Sequence, residues 1–254
     1  MKRILATGGF ALAVAFSGPA LAADMPVKAP VAPVLPAYSW TGFYVGATVG
    51  GSWGRMDSDY TNGGIAIGSA SQSVNGVIGG LQAGYNWQAG SWLFGLEADI
   101  QASGQKGQTP FVDVPIIVTV SDLNTVRMPW FGTLRGRIGV TPMDRWLVYV
   151  TGGLAFADIQ ETHAYTVTCN ICLNPTAGGL STSATRTGWT IGAGAEVAIW
   201  DRWSAKVEYL HMDFGSFSDT ASITVPAIGG VVVVGSTNRL TDNVARIGLN
   251  YRFH

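Results

Sequence analysis

Two cysteines form the motif in this chain with the most familiar chemistry. Cys169 and Cys172 are separated by two residues, and such a CxxC pair can be a redox couple or half of a metal site. The sequence has no second CxxC and no nearby histidine pair that would complete a zinc site. If the chain is exported, its surroundings are oxidising, and we then expect a local disulfide, with free thiols as the alternative. We expect no metal and no cofactor.

A histidine followed by carboxyl and hydroxyl side chains is the second candidate for chemistry. His211 precedes Asp213, Ser216 and Ser218, which are the residue types of a hydrolytic triad, and the other internal histidine is His163. Serine and aspartate are also common in polar segments because they stabilise turns. We therefore predict that the chain is not an enzyme and keep a lipid-active enzyme as the third alternative for its function.

Charged residues are scarce, and their positions follow a pattern. They make up 12% of the chain, against roughly 25% in soluble domains. Within segments that alternate between apolar and polar residues, they fall on the polar face: Glu97, Asp99, Arg135, Arg137, Glu196, Lys206, Glu208, Arg246 and Arg252. Four carboxylates and five basic groups on one face predict a paired network, because isolated buried charges are strongly destabilising. Clustered charges of this kind also occur in catalysis and proton paths.

Eight alternating segments must position these residues. The first places Phe43, Val45, Ala47 and Val49 at odd positions, with glycine, tyrosine or threonine between them. A period of two indicates a strand with one apolar face. Further segments of this kind begin near Val77, Trp92, Trp130, Trp146, Trp189, Trp203 and Ala245. A secreted β-sandwich and a closed membrane barrel both accommodate such strands.

The connections between the segments alternate in length. Short turns near 88–91, 141–145 and 200–202 separate long polar stretches near 55–73, 104–128, 160–186 and 214–242. Outer-membrane barrels are threaded in this way, with the short turns in the periplasm. The sequence therefore predicts an all-β fold, an eight-stranded antiparallel transmembrane β-barrel with four long extracellular loops.

The tryptophans also favour a membrane barrel over a sandwich. Following the chain up and down puts one group at the periplasmic rim, namely Trp40, Trp87, Trp92, Trp146, Trp200 and Trp203. The others fall at the outer rim: Trp53, Trp130 and Trp189. Two aromatic girdles are typical of membrane barrels, whereas a sandwich gives tryptophan no reason to form bands.

The N-terminal residues have the features of an export signal. Lys2 and Arg3 precede an apolar run, and Ala20, Leu21 and Ala22 fit a cleavage site, so we predict a signal peptide over 1–22. Four prolines within 23–39 predict an extended periplasmic tether, and the barrel then occupies 40–254. The expected location is the cell outer membrane. A formal net charge of −1 argues against a nucleic-acid partner.

Both ends of the mature chain carry a family resemblance. The segment 38–46, Tyr-Ser-Trp-Thr-Gly-Phe-Tyr-Val-Gly, resembles the start of the alphaproteobacterial outer-membrane immunogenic proteins, which are small OmpA-like barrels of the porin family. At the other end Gly248, Tyr251 and Phe253 resemble the signal read by the barrel-assembly machinery, although His254 follows the aromatic residue that usually ends it. The resemblance implies an abundant surface protein that supports envelope integrity and contacts hosts, with weak pore activity.

The first functional hypothesis is therefore a surface protein with a structural role, and the alternative is a narrow passive channel for small solutes or ions. Eight strands leave a lumen filled by side chains, whereas open channels have about 16 strands. The expected partners are outer-membrane lipids and lipopolysaccharide, the barrel-assembly machinery during insertion, and host surface molecules. The sequence leaves the oligomeric state open.

Overall fold

The described part of the chain forms a closed β-barrel. The computed structural model describes residues 38–62, 64–113, 118–169, 176–225 and 230–253. Eight antiparallel strands pair in chain order, and the last pairs with the first. They are β1 (Gly42–Asn62), β2 (Ile65–Ala89), β3 (Trp92–Asp113), β4 (Val118–Met143), β5 (Trp146–Cys169), β6 (Thr176–Ala198), β7 (Trp203–Val225) and β8 (Gly230–Arg252). The predicted eight-stranded antiparallel barrel is confirmed.

Several predictions lie outside the described residues. The signal peptide and the tether up to residue 37 are among them, and so is the disulfide, because Cys172 and the side chain of Cys169 are not described. In the part of the chain that is described, no helix is long and apolar enough to cross a membrane.

The alternation in sequence is an alternation between the two sides of the barrel wall. In β1, Phe43, Val45 and Val49 are exposed on the exterior, whereas Tyr44 and Thr48 are buried in the interior. The exterior of the other strands is equally apolar, with exposed Leu81, Leu96, Ile100, Leu134, Val150, Ile191, Val207, Ile247 and Leu249. Because successive side chains of a strand point to opposite faces, the pairing register fixes this arrangement around the whole barrel.

Exposed tryptophans mark the two ends of this apolar band. Five form the periplasmic girdle: Trp87, Trp92, Trp146, Trp200 and Trp203. Three form the outer girdle: Trp53, Trp130 and Trp189. Trp40 was predicted to belong to the periplasmic girdle, and the structure corrects this, because Trp40 is only 1% exposed and lies inside the barrel at the periplasmic rim. It precedes β1, so no strand register holds it on the exterior.

The strands continue far beyond the outer girdle. The stretches predicted as long loops are strand for most of their described residues, and β1 and β2 stay paired as far as Asn62 and Ile65. The loop prediction is therefore wrong for these residues. Alternation persists there with reversed polarity, since Met56 points inward and the exposed Arg55 and Asp57 point outward.

At the other end the turns are short, as predicted. Gly90 has a φ of +63°, a conformation that glycine adopts without strain, and it allows β2 to turn into β3 within two residues. The amide of Thr141 donates to the carbonyl of Ser91 at 2.9 Å and ties two neighbouring turns together. The turn between β6 and β7 is closed by the Ile199 amide, which donates to the carbonyl of Trp203 at 2.9 Å.

Candidate functional site

The interior between the two girdles contains a cluster of ion pairs, the charge network. Its members are Glu97, Asp99, Arg135, Arg137, Glu196, Lys206, Glu208 and Arg246, and all are buried. Cross-strand register brings several of them together, since Glu97 is opposite Arg135 and Glu208 is opposite Arg246. The alternation of the strands predicted this inward direction, and the pairing around the wall decides which charges meet.

Arg135 lies at the centre of the charge network. Its guanidinium pairs with the carboxylate of Glu97, with Asp99 Oδ2 at 3.0 Å and with Glu208 Oε1 at 3.1 Å. Glu97 and Asp99 belong to β3 and Glu208 to β7, so this one side chain of β4 links strands on different sides of the barrel. Its own Nε donates to Thr133 at 2.8 Å. The guanidinium is thus surrounded by acceptors.

Two further cations compensate the same three carboxylates. Arg246 Nη2 lies 2.6 Å from Glu208 Oε2, and its Nη1 lies 3.2 Å from Asp99 Oδ1. Lys206 Nζ lies 3.1 Å from Glu97 Oε1 and 3.7 Å from Glu208 Oε2. Each carboxylate therefore meets at least two cations, which is the arrangement that makes buried charge tolerable.

Two tyrosines that the sequence did not single out complete the charge network. Tyr44 Oη donates to Glu97 Oε2 at 2.6 Å, and Tyr149 Oη donates to Glu208 Oε1 at 2.9 Å. The guanidinium of Arg137 lies over both rings, 4.7 Å and 5.1 Å from their centres. Both tyrosines occupy inward-facing positions of their strands, as the charged residues do, and each has a glycine as its cross-strand partner. These positions were the signal in the sequence.

Those two glycines explain how the tyrosine rings fit against the wall. A Cβ at Gly84 would collide with the phenol of Tyr44, and one at Gly194 would lie 2.6 Å from Tyr149 Oη. Both glycines are cross-strand neighbours on inward-facing positions. Glycine is therefore required at both places because of the close approach, and any larger residue would push a tyrosine out of the charge network.

Glu196 joins the charge network from its periplasmic side. Its Oε2 lies 3.4 Å from Arg137 Nη1, and it accepts hydrogen bonds from Ser204 and Asn250. Arg137 in turn donates through Nε to Asn86 Oδ1 at 2.8 Å. Neutral amide and hydroxyl side chains thus supply the hydrogen bonds that Arg137 and Glu196 do not make with other charged groups.

A separate group closes the periplasmic mouth, and we call Tyr38, Trp40 and Arg252 the rim plug. Trp40 packs with Leu93 and Leu147 inside the barrel. Its amide donates to Gln88 Oε1 at 2.8 Å, and burial raises the pKa of the Tyr38 phenol.

Arg252 was predicted to belong to the charge network, and the structure places it elsewhere. Its guanidinium lies 4.3 Å from the centre of the Tyr38 ring and 5.6 Å from that of Trp40, and Nη2 donates to the carbonyl of Asp201 at 3.3 Å. Aromatic faces and a backbone oxygen compensate its charge. The position at the end of β8, beside the incoming N-terminal segment, is the reason.

At the opposite end the interior is apolar. The apolar core consists of Met56, Val74, Ile78, Val126, Met128, Phe131, Ala155, Ala157, Ile159, Leu210, Met212, Phe214, Phe217, Leu240 and Val244. Within it lies Asp242, between Leu240 and Val244 on the inner face of β8, and its fully buried carboxylate accepts from Ser52 Oγ at 2.6 Å and from Gln105 Nε2 at 3.1 Å. Six residues of the apolar core fall in stretches that were predicted as long loops: Met56, Val126, Met128, Phe214, Phe217 and Leu240.

The candidate residues for other chemistry are not brought together. His211 Nδ1 lies 3.0 Å from Asn243 Oδ1, while Asp213 accepts from Arg239 at 2.9 Å. The hydrogen bonds of the described residues link neither Ser216 nor Ser218 to His211. In the described ranges, no group of three or more histidine, cysteine, aspartate or glutamate side chains has the arrangement of a metal site.

The residues of the predicted assembly signal line up along the end of β8. Tyr251 packs edge-on between Trp203 and Phe253, with ring centres 5.2 Å apart in both pairs. Phe253 is exposed on the exterior. A Cβ at Gly248 would lie 2.8 Å from Thr48 Cγ2 and 3.0 Å from the carbonyl of Ala47, so the interior wall requires glycine there.

The chain is similar in sequence to known proteins over most of its length. Residues 8–253 match the family described as outer membrane protein beta-barrel domain. The chain is 33% identical over 259 residues to the 31 kDa outer-membrane immunogenic protein of Brucella melitensis, covering 95% of this chain and 97% of that protein. It is 29% identical over 242 residues to the 25 kDa outer-membrane immunogenic protein of Brucella abortus, covering 95% and 92%.

A third relative matches a shorter part of the chain. The 22 kDa outer membrane protein of Rhizobium leguminosarum is 29% identical over 185 residues, which cover 73% of this chain and 69% of the relative. The barrel, its two girdles and these relatives agree with one another. The chain therefore belongs to the alphaproteobacterial outer-membrane immunogenic protein family of β-barrels and resides in the cell outer membrane.

Proposed function

We propose that this protein is a sealed barrel with a structural role in the envelope and a surface that contacts the cell's surroundings. The observation that carries the proposal is the filling of the interior at three successive levels. These are the rim plug at the periplasmic mouth, the charge network between the girdles and the apolar core, which begins near the level of the outer girdle and extends beyond it. A solute would have to displace all three.

The three levels resist opening for different physical reasons. Moving Arg135 aside would leave carboxylates buried without compensation, and displacing Leu240 or Met212 would expose apolar surface to water. Trp40 is held by packing and by its amide bond to Gln88. A narrow passive channel therefore has no support from the interior side chains.

The part of the barrel beyond the outer girdle supports the surface role. Its exterior carries exposed Arg55, Asp57 and Asp59, whereas its interior holds the outer part of the apolar core, including Met56, Met128 and Leu240. A polar exterior around an apolar interior is the pattern of a soluble domain. The relatives from Brucella are named immunogenic proteins, which fits a surface accessible from outside, and we propose that host surface molecules are among its contacts.

Planar-bilayer conductance of the refolded protein tests the sealed interior. We expect no steady ion-selective steps from the parent. Trp40→Ala should stay equally closed, because two further levels remain. A 16-stranded porin refolded in the same way is the positive control. Uniform, voltage-stable steps in the parent would overturn the sealed barrel and establish the channel.

Labelling of intact cells tests the surface role separately. A membrane-impermeant maleimide should label Asp59→Cys, which lies beyond the outer girdle, and should not label Asp144→Cys in a predicted periplasmic turn. The unmodified protein provides the background from its own cysteines. Equal labelling of the two variants on intact cells would contradict the proposed orientation.

A further inference from the structure

Two outward-facing cations stand side by side just beyond the outer girdle. Lys106 of β3 and Arg127 of β4 are direct cross-strand partners, and both are exposed on the exterior. Like charges directly opposite each other destabilise a sheet. Among the described residues neither side chain has an ion pair or a hydrogen bond through its charged group. An anion from outside the chain would relieve this repulsion.

Other cations at this depth are already paired. Arg55 Nε lies 3.0 Å from Asp57 Oδ1, and Arg239 Nη2 lies 2.9 Å from Asp213 Oδ2. The nearest carboxylate on the same face of β5 as Gln160, the partner of Arg127, is Asp158, which accepts from Gln160 Nε2 and Ser183 Oγ, both at 2.9 Å. Lys106 and Arg127 are thus distinguished by their missing counter-charge.

The neighbours in the same cross-strand row add further donors without adding acid. Asn75 is the partner of Lys106 on β2, and Gln160 is the partner of Arg127 on β5. The row therefore presents an amide, an ammonium, a guanidinium and a second amide on one face. Guanidinium and ammonium groups are the side chains that bind phosphate best, and amides can add hydrogen bonds.

The depth of the pair in the membrane identifies the source of such an anion. Arg127 is three residues beyond Trp130 of the outer girdle, and Ala102, the partner of Trp130, is four residues before Lys106. A tilted strand rises about 2 to 3 Å per residue along the barrel axis, so the cations lie roughly 7 Å beyond the ring. Lipid headgroups occupy about this depth outside the hydrocarbon.

The exterior on the membrane side of the pair carries small and apolar side chains. The outward residues of β3 that descend from Lys106 are Gly104 and Ala102, both small, and then Ile100. Ile100 lines an apolar groove of about 780 Å³ that also runs past Leu81 and Leu249. A phosphate near the cations and an acyl chain along this depression would belong to one molecule.

We propose that Lys106 and Arg127 form a binding site for the phosphate group of an anionic lipid in the outer leaflet. The lipid's phosphate oxygens accept hydrogen bonds from both cations, and its acyl chain lies over Ala102 and Gly104 toward the groove. This site anchors one side of the barrel to the headgroup layer and is independent of whether the lumen conducts.

Native mass spectrometry of the refolded protein in detergent tests the site with three probes: lipid A carrying its two phosphates, the same lipid with both phosphates removed, and inorganic phosphate. The parent should bind the phosphorylated lipid at least about tenfold more tightly than the dephosphorylated one, which is the scale of charge-assisted hydrogen bonds. Inorganic phosphate should bind much more weakly than either lipid.

A matched pair of double variants separates the site from general surface charge. Lys106→Gln with Arg127→Gln should lose about tenfold in affinity for the phosphorylated lipid. Arg55→Gln with Arg239→Gln removes the same charge at the same depth from cations that already have partners, and should change affinity by less than about threefold. The charge-keeping variant Lys106→Arg with Arg127→Lys should retain binding.

Three outcomes would overturn the proposal. Equal losses in both double variants would reduce the effect to overall charge, and equal binding of the dephosphorylated lipid would remove the phosphate from it. Inorganic phosphate binding as tightly as the lipid would assign the site to a free anion. Heat-dependent migration on gels verifies that each variant is folded before it is compared.

Discussion

On both sides of the outer girdle the strands alternate between apolar and polar residues. The apolar residues point outward within the membrane and inward beyond it. Within the membrane Thr48 points inward and Val49 outward, whereas beyond the outer girdle Met56 points inward and Asp57 outward. The strand is the same and its side chains still alternate with a period of two. The surrounding solvent therefore determines which face is apolar.

The two interiors differ because apolar side chains are removed from water in different ways inside and outside the membrane. In the membrane the apolar side chains are already removed from water by lipid, so the interior can be filled by ion pairs around Arg135. Beyond the membrane the exterior faces water, and apolar side chains such as Leu240 are removed from it only inside the barrel. One strand thus belongs to a membrane protein at one end and to a soluble barrel at the other.

The largest expected effect tests the polar interior. Arg135→Ala should lower the free energy of unfolding by about 3 to 5 kcal/mol, because Glu97, Asp99 and Glu208 would each lose a buried counter-charge. Urea unfolding of the protein in lipid vesicles measures it. The exposed Arg55→Ala is the matched control and should change stability by less than about 1 kcal/mol. Similar values for the two variants would mean that water reaches the interior.

The second prediction tests the apolar interior beyond the outer girdle. Leu240→Ala should lower the free energy of unfolding by about 2 to 5 kcal/mol, since it leaves a cavity in a packed core. The lipid-facing Leu81→Ala should have a smaller effect because lipid chains fill the vacated space. The same urea unfolding compares them. If Leu81→Ala were the more harmful of the two, the soluble-domain description of the outer part would fail.

A smaller effect tests the tyrosines that support the charge network. Tyr44→Phe removes the hydrogen bond to Glu97 without changing shape, and should lower the free energy of unfolding by about 1 to 3 kcal/mol. Tyr85→Phe provides the control, because Tyr85 is exposed on the exterior against Phe43. If Tyr44→Phe left the free energy of unfolding unchanged, the cations alone would be sufficient partners for Glu97.

The smallest effect on stability is expected at the periplasmic rim. Phe253 is exposed, so Phe253→Ala should hardly change the unfolding free energy of the assembled barrel. We expect it instead to slow insertion, which a time course of heat-dependent gel migration in cells follows, because we propose that the barrel-assembly machinery reads this residue. Deleting His254 should leave insertion unchanged. Parent-like insertion of Phe253→Ala would refute the proposed signal.

Much of the fold could be predicted from side-chain periodicity. Alternation around Phe43 and Val45 fixed which face of the strand is apolar, and it placed Glu97 and Arg135 on the opposite face before any pairing was known. The bands of tryptophan marked the two membrane surfaces for the same reason. These features depend on local order along the chain, and sequence records local order directly.

The errors arose where local order does not decide the outcome. Trp40 precedes β1, and only packing against Leu93 and Leu147 draws it inside. The strands beyond the outer girdle were predicted as loops because their outward-facing residues are polar, although Met56 between Arg55 and Asp57 shows the reversed alternation. An alternation of either polarity indicates a strand, so β1 could have been predicted to extend past Trp53.

By itself, the sequence determined the number of strands, the inward direction of the charged residues and the two membrane surfaces, because each follows from a period of two and the partition of side chains between lipid and water. Only the tertiary structure decided which charges meet. Arg135 reaches Glu208 because closure of the barrel brings β4 and β7 to face each other across the lumen, and Arg252 misses the charge network because the N-terminal segment lies beside it. Lys106 and Arg127 are neighbours for the same reason, since the register between strands is a property of the closed sheet.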